Sequence, residues 1–361
     1  MTRAALLDDA AGLQGQDPRG VGRILADFPA HCRAAATLVP SRPLSRMAFH
    51  HVVVAGMGGS AMGGELLKAL AAARLALPVT VWRDYGIPAF VDSRTLVLGL
   101  SYSGKTEETL SAVEAALQRG APAAVLTSGG ELAALAASRG LPMVRLPLGL
   151  MPRLALGYLL FPLLGLLDAT GLAVVTGPER DEALQLLEGM GSELRPERPT
   201  AENQAKQLAL MLHGKIPVLY GSAATEAAAY RWKTAVEENA KLLAFHGCLP
   251  EVNHNEIEGW GDPAGRGFYA VFLRDPDEGE VVGRRVRLTR ELIGAHAGGV
   301  AEVWPRGRAR LARQLSLIHL GDWVSYYLAL LRARDPWSVP TLEALKRRLR
   351  ESEAMISLEG G

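Results

Sequence analysis

Short continuous runs of apolar residues, each followed by glycine or polar residues and then by a helical pattern, dominate the first half of the chain. Such runs are typical of strands buried on both faces of a parallel sheet. They predict five strands, at 51–56, 78–84, 95–101, 121–130 and 141–147. Gly120 is expected to end one intervening helix in a left-handed conformation. Strands alternating with helices over roughly 100 residues predict a doubly wound parallel sheet.

A similar pattern opens the second half, because both 52–61 and 216–224 read as an apolar strand that leads into Gly and Ser and then into a helix. We interpret this as a weak internal duplication. Further elements are predicted there and around it: helices at 154–168, 180–194, 224–246, 311–331 and 341–351, and strands at 267–275 and 300–307. The fold class is therefore α/β, with two doubly wound subdomains.

The expected units are a helical N-terminal segment (1–49), a first domain (50–175) and a second domain with C-terminal helices (176–361). Within 1–49, apolar residues recur at helical spacing from Val21 to Phe28, and Pro29 is expected to stop that helix. The 361 residues are enough for about two domains.

Charge and cysteine content exclude several classes of protein. The 39 Lys and Arg residues balance 38 Asp and Glu residues, so no basic field for nucleic acid or an anionic membrane is expected. Cys32 and Cys248 are too few for a disulfide framework or a Cys-rich zinc site. Acids near the N-terminus argue against a secretion signal, and the longest apolar run, 154–167, is too short to span a bilayer. These features predict a cytoplasmic protein.

Two glycine-containing loops follow predicted strands, at the edge where parallel sheets bind ligands. The first, GMGGSA at 56–61, fits a dinucleotide-binding fingerprint, with Asp84 as its acidic partner. The second, GLSYSGKT at 99–106, fits a P-loop, although its candidate metal-binding acid, Asp168, lies in a long apolar helix. One compact domain has no use for both motifs in their usual roles, and each remains an alternative at this point.

Hydroxyl side chains suggest a third interpretation, which uses both loops together. Hydroxyls and the free N–H groups of a helix N-terminus can hold a phosphate monoester without a metal. Each such residue alone could be a helix cap. As a cluster, however, they predict a phosphate site, and its members are Ser60, Ser101, Ser103, Thr106 and Thr109.

Candidate acid–base residues lie in the segment 231–260. Glu237 and Glu238 lie on a predicted helix, and His254 lies between amides and acids in the loop that follows. Singly they could pair with cations or cap a turn, but polar loops in such positions are often site-forming. A phosphate clamp, a Glu and a His suit aldose–ketose isomerisation, in which His opens the sugar ring and Glu moves a proton between C2 and C1. Arg153, expected to be exposed before an apolar helix, could stabilise the enediolate.

Five segments together carry a family resemblance: GMGGSAMGGE, SYSGKTEETL, PRLALG, EENAKLLAFHGCLPEVNHNEIEGW and HLGDWVSYYLALLRARDP. They resemble the bifunctional phosphoglucose/phosphomannose isomerases, two-domain sugar-isomerase (SIS) proteins of the phosphoglucose isomerase superfamily. The resemblance covers about residues 50–350 and implies an SIS fold for each domain. It also implies that four hydroxyl residues, Ser60, Ser101, Ser103 and Thr106, hold the sugar phosphate.

The resemblance further implies roles for the charged residues. Arg153 is expected near C1–C2, Glu238 as the proton-shuttling base, and His254 as the ring-opening group that reaches in from the partner subunit of a homodimer. The family's C-terminal ring-opening lysine best matches Lys346. A hydroxyl that admits mannose substrates is expected a few residues earlier; Val339 stands seven residues upstream, which leaves Ser338 or Thr341.

The expected reaction is the interconversion of glucose 6-phosphate or mannose 6-phosphate with fructose 6-phosphate, without a metal or cofactor. No nucleic-acid or membrane partner is expected. A phosphosugar-binding SIS sensor without catalysis is the alternative from another class, although such sensors usually carry an additional domain and 1–49 is short and not basic.

Overall fold

The computed structural model describes residues 2–44 and 46–359, so residues 1, 45, 360 and 361 of the predicted units lie outside the described residues. The chain starts with four short helices, α1 (Arg3–Asp8), α2 (Ala10–Gly15), α3 (Val21–Ala26) and α4 (Phe28–Ala35). The prediction that Pro29 stops a helix is wrong. Pro29 lies in the first turn of α4, where its missing N–H removes no helical hydrogen bond.

The first sheet contains the five predicted strands. In chain order, the elements are β1 (His51–Gly56), α5 (Gly58–Ala71), β2 (Val79–Trp82), β3 (Thr95–Leu100), α6 (Glu107–Gln118), β4 (Ala123–Thr127), α7 (Gly130–Arg139) and β5 (Met143–Arg145). All pairs are parallel, in the order β2-β1-β3-β4-β5. Gly120, just after α6, has φ 71° as expected.

Three helices connect the sheets: α8 (Leu156–Thr170), α9 (Gly177–Leu194) and α10 (Gln204–Leu212). The second sheet then follows, with β6 (Ile216–Ser222), α11 (Glu226–Ala240), β7 (Phe245–Leu249), α12 (Glu256–Gly259), β8 (Phe268–Leu273), α13 (Gly279–Gly294) and β9 (Val300–Val303). Its parallel order, β7-β6-β8-β9, repeats that of the first four strands of the first sheet. The topology therefore supports the internal duplication predicted from the sequence.

The predicted helix over 224–246 is wrong at its end. Lys241 adopts a left-handed conformation (φ 51°) that ends α11, and the chain then forms β7, which pairs with β6. This strand, FHGCL, lies at the sheet edge and contains His and Gly, so it lacks the continuous apolar run of a buried strand.

The long helix α14 (Arg310–Leu331) is buried along almost its whole length and contacts α9, α10 and α11. A final helix, α15 (Pro340–Glu359), follows it. Burial lowers the pKa of His319, in the middle of α14, to about 3, and its ring stacks on that of Phe28 with centroids 5.4 Å apart. The helix thereby ties the N-terminal segment to the core. Within the described residues, no helix is long and apolar enough to cross a bilayer.

Candidate active site

The hydroxyl residues of the first domain meet where β1 and β3 end. The Oγ of Ser101 lies 2.8 Å from Oγ1 of Thr106 and accepts a hydrogen bond of 3.0 Å from Gly104 N. The Oγ of Ser60, in the first turn of α5, accepts one of 3.1 Å from Tyr102 N. Ser60 therefore joins the two loops, and these hydroxyls lie beside the N-termini of α5 and α6.

The other two hydroxyls of the cluster differ in environment. Ser103 is exposed, and its Oγ accepts a hydrogen bond of 3.3 Å from Lys105 N. Thr109 is buried, and its hydroxyl finds no hydrogen-bond partner among the described residues. Ser103 therefore lies at the surface of the loop, whereas Thr109 is buried in the first turn of α6.

Close backbone packing holds the second loop in place. Gly104 has φ 68°, and a Cβ built on it would lie 1.7 Å from the carbonyl oxygen of Gly129, after β4. In the same region Ser128 Oγ donates a hydrogen bond of 2.6 Å to Tyr102 O. Any residue larger than glycine at 104 would displace the loop, so the hydroxyls are held by a preformed backbone.

Arg153 is buried, and the expectation that it is exposed is wrong: its side chain is only 3% accessible. It lies in a 3₁₀ turn, Pro152–Leu154, which packs so closely on the first loop that a Cβ on Gly59 would come 2.6 Å from Arg153 N. Burial lowers the pKa of the guanidinium, and the charge of Glu238 opposes that effect. Arg153 therefore lies directly beside the first hydroxyl loop.

Four of the five N–H donors of Arg153 are used by described residues. Nε donates to Asn239 Oδ1 (2.9 Å), and Nη2 donates to the carbonyl oxygens of Pro336 (2.9 Å) and Trp337 (2.7 Å). Nη1 donates to Glu238 Oε2 at 3.2 Å. One N–H remains on Nη1, the nitrogen that also meets the carboxylate.

The two neighbouring glutamates on α11 have different partners. Glu238 pairs with Arg153 and keeps 25% of its side chain accessible, whereas Glu237 pairs with Lys233 at 2.9 Å, one turn earlier on the helix. The geometry thus favours Glu238 over Glu237 as the carboxylate of the site. In the sequence, only the family resemblance distinguishes the two.

The sequence analysis does not predict a buried polar network that lies next to Arg153. Arg231 forms two hydrogen bonds to Asp322 (2.9 and 3.0 Å), and its Nη2 donates to Arg153 O at 2.6 Å. Asn239 Nδ2 donates to Ser325 Oγ at 2.9 Å. Asp322 and Ser325 lie on α14. An acidic residue within the apolar pattern of that helix is the sequence signal that could have predicted a buried ion pair. Burial raises the pKa of Asp322, and Arg231 offsets part of that effect.

His254 and Lys346 do not join this cluster within one chain. His254 ends a 3₁₀ turn, Glu251–His254, and is exposed, as is Lys346 on α15. Of the two candidate hydroxyls before Lys346, Ser338 is half-buried and Thr341 is exposed. The loop around His254 is nevertheless anchored, because Asn253 Nδ2 donates to Thr289 Oγ1 at 2.7 Å.

The acids required by the alternative motifs are engaged elsewhere or exposed. Asp168 forms an ion pair of 2.7 Å with Arg180, and Asp84 is exposed and accepts a hydrogen bond from Tyr85 N. No group of three or more His, Cys, Asp or Glu side chains in the described part of the chain is arranged to hold a metal ion.

Two parallel sheets of like strand order, with hydroxyl loops at the strand ends and a carboxylate–guanidinium pair beside them, define a two-domain α/β protein of the SIS type. Solved structures agree. A "glucose-6-phosphate isomerase like protein" from Thermus thermophilus aligns with a TM-score of 0.61 and 25% identity, over 96% of this chain and 98% of that one.

Sequence comparisons define the family. Residues 201–349 match the family described as "Bacterial phospho-glucose isomerase C-terminal SIS domain". A bifunctional phosphoglucose/phosphomannose isomerase of Caldicellulosiruptor bescii is 42% identical over 83% of this chain and 89% of its own length. One of Thermoplasma acidophilum is 36% identical over 83% and 90%. The chain belongs to the bifunctional phosphoglucose/phosphomannose isomerase family.

Proposed function

We propose that this protein is an aldose–ketose isomerase that interconverts glucose 6-phosphate or mannose 6-phosphate with fructose 6-phosphate. The observation that carries the proposal is the ion pair of Glu238 with the buried Arg153, which lies against the phosphate loop at Gly59. The names of the relatives support the same reaction.

The phosphate is assigned to the hydroxyl loops of the first domain. A dianionic phosphate accepts hydrogen bonds from hydroxyls and is stabilised by the positive ends of the α5 and α6 dipoles. The proposed ligands are Ser60, Ser101, Ser103 and Thr106. With the phosphate held there, C1 and C2 of the open-chain sugar lie toward Arg153 and Glu238.

In the aldose-to-ketose direction, Glu238 removes the proton from C2, and the electron pair forms the C1=C2 bond of an enediolate with its charge on O1. O1 gains a proton, O2 loses one, and Glu238 returns its proton to C1. The remaining N–H of Arg153 stabilises the developing oxyanion in a largely buried setting. We propose that no metal takes part, because the carboxylate and the guanidinium already supply the base and the charge.

The test is an NMR time course with fructose 6-phosphate, with and without excess chelator. Aldose signals that grow at equal rates in both samples support the proposal. Changes in the protein spectrum without any aldose would instead identify a sugar-phosphate sensor, and loss of turnover with chelator would overturn the metal-free mechanism alone.

Two further assignments accompany the reaction. We propose the units 1–49, 50–175 and 176–361 as the N-terminal segment, the first SIS domain and the second SIS domain. We also propose that the enzyme acts in the cytoplasm. Charged sugar phosphates cross bilayers poorly, so they stay in the compartment in which they are formed.

We further propose a homodimer in which the exposed His254 opens the sugar ring at the partner's site. If so, mixing chains that carry Glu238→Gln with chains that carry His254→Ala restores activity. Half of the randomly mixed dimers contain both chains, and each has one intact site, so about a quarter of wild-type activity is expected. The measurement is turnover after joint unfolding and refolding of equal amounts. Unmixed variants are the controls, and absence of any recovery would mean that each site lies within one chain.

Lys346 is proposed as the ring-opening lysine on the family resemblance alone, since in a single chain it is exposed and does not join the Arg153–Glu238 pair. The Lys346→Arg variant keeps the charge but has a far less readily transferred proton. We expect turnover of cyclic substrate to fall about 10²-fold or more, the range of general acid–base contributions. The measurement is the rate of turnover of cyclic and of open-chain substrate by stopped flow. A ring-opening role predicts a larger loss with the cyclic substrate. Unchanged activity would identify Lys346 as a surface residue.

A further inference from the structure

Three consecutive backbone carbonyls, in the segment between α14 and α15, are held by two cations of the site. Lys241 Nζ donates to the carbonyl oxygen of Asp335, and Arg153 Nη2 donates to those of Pro336 and Trp337. The Asp335 side chain closes the turn from within, because its Oδ1 accepts a hydrogen bond of 2.8 Å from Trp337 N. Hydrogen bonds from cationic donors are roughly twice as strong as those between neutral groups, so these three bonds hold the turn firmly.

We propose that Lys241 is a positioning residue of the isomerase site: with Arg153 it clamps the 335–337 turn and so fixes the segment that leads to Ser338 and α15. The inference rests on the proposed function. It assigns a role to a lysine that the sequence interpretation left without one, and that role is exerted through the turn rather than on substrate.

The backbone places Lys241 for this role. It is the residue that ends α11, three positions after Glu238, and its left-handed conformation turns the chain out of the helix. Its ammonium also donates to Asn239 O at 3.1 Å, and Arg332 Nε donates to Ala240 O at 3.0 Å. The end of α11 is therefore joined both to the turn, through Lys241, and to the end of α14, through Arg332, so a shift of one moves the others.

One residue of the N-terminal segment also contacts the turn. The guanidinium carbon of Arg19 lies 5.9 Å from the centroid of the Trp337 ring. Ser338, next in the chain, is half-buried and is one of the two hydroxyl candidates for aldose discrimination. A clamp on 335–337 therefore sets the position of a residue expected to distinguish glucose from mannose substrates.

Charged groups around the ammonium make the clamp pH-sensitive. Burial and the charge of Arg153 lower the pKa of Lys241 to about 8, against the charges of Asp335 and Glu238; Arg334 lowers it further. Above this pH the amine is a weaker donor, and activity is expected to decline. By linkage, the unfolded chain then binds more protons than the folded one, so this lysine makes the free energy of unfolding rise with pH between about 8 and 10.4. Activity and stability thus move in opposite directions.

The experiment compares Lys241→Met and Lys241→Arg with the wild type, in kcat and KM for both aldose phosphates between pH 6.5 and about 9.5. Met keeps the apolar stem but removes the donor, so we expect KM to rise about tenfold and the ratio of glucose to mannose activity to change. Arg keeps the charge, so we expect KM within about threefold of wild type and an alkaline limb displaced above pH 9.

Lys215→Met is the matched control, because Lys215 Nζ also donates to a loop carbonyl, that of Arg266 at 2.8 Å, without a contact to Arg153 or Glu238. Wild-type kinetics and pH profile in Lys241→Met would overturn the inference, as would a fall in kcat with unchanged KM and selectivity. If Lys241→Met does not fold, the test is the pH profile of activity of the wild type and of Lys241→Arg. Profiles that coincide at alkaline pH would contradict the inference. Absence of isomerase activity in the wild type would be a failure of the proposed function instead.

Discussion

The Glu238→Gln variant is expected to lose isomerase activity by about 10³-fold or more while it still binds sugar phosphate. A general base contributes about 10²–10⁴-fold, and Gln has the same shape but cannot accept the C2 proton. We expect binding to survive because the proposed phosphate ligands are the hydroxyls of the two loops after β1 and β3, and not the carboxylate of Glu238. Arg153 also keeps its hydrogen bonds to Asn239, Pro336 and Trp337 when the carboxylate is lost.

The measurement pairs steady-state kinetics with calorimetric titration of fructose 6-phosphate. Glu237→Gln is the matched control, because it changes the adjacent residue and breaks only the ion pair with Lys233 on the helix surface. Near-wild-type turnover in Glu238→Gln would contradict the assignment of Glu238 as the base. An equal loss of turnover in Glu237→Gln would contradict it as well. Loss of binding in Glu238→Gln alone would show that the carboxylate holds substrate rather than moving its proton.

Much of the architecture follows from local pattern. Strands β1 and β3 are continuous apolar runs buried on both faces, and the glycine and hydroxyl residues after them mark the ligand edge of the sheet. The pattern does not predict edge strand β7, because its His and Gly residues interrupt the apolar run and the predicted helix over 224–246 extends into its first two residues. The prediction at Pro29 fails because a proline can either end a helix or occupy the first turn of one, and the local pattern does not distinguish the two.

The candidate site likewise contains residues that the local pattern predicts and residues that it does not. Ser60, Ser101 and Thr106 lie within a few residues of strand ends, so their clustering is a consequence of sheet topology that the sequence contains. The local sequence of Arg153, a Pro-Arg turn before an apolar helix, predicts exposure because it says nothing about α11 and the 335–337 turn, which cover the side chain. Its partners Asn239 and Pro336 are 86 and 183 residues away. Long-range packing of this kind has no local signature.

The second large effect is expected at the buried pair behind Arg153. Replacing Arg231 with Met leaves the Asp322 carboxylate without its partner in an interior where the two side chains are only 2% and 5% accessible. Removing one member of such a pair typically costs about 3–5 kcal/mol of unfolding free energy. Urea denaturation at pH 7 should show this loss. Activity of the remaining folded protein should also fall, because Arg153 O loses its 2.6 Å hydrogen bond.

The pH dependence and a double variant separate lost packing from an unpaired charge. Without Arg231, burial alone acts on Asp322 and raises its pKa, so the folded state holds a proton that the unfolded state has released; stability must then fall as pH rises above about 4. We therefore expect Arg231→Met to be less destabilised at pH 5 than at pH 8. Adding Asp322→Leu should remove that dependence and recover part of the loss, the remainder being the unsatisfied carbonyl of Arg153, worth about 1–3 kcal/mol. A double variant no more stable than Arg231→Met would show that the pair contributes shape rather than charge neutralisation.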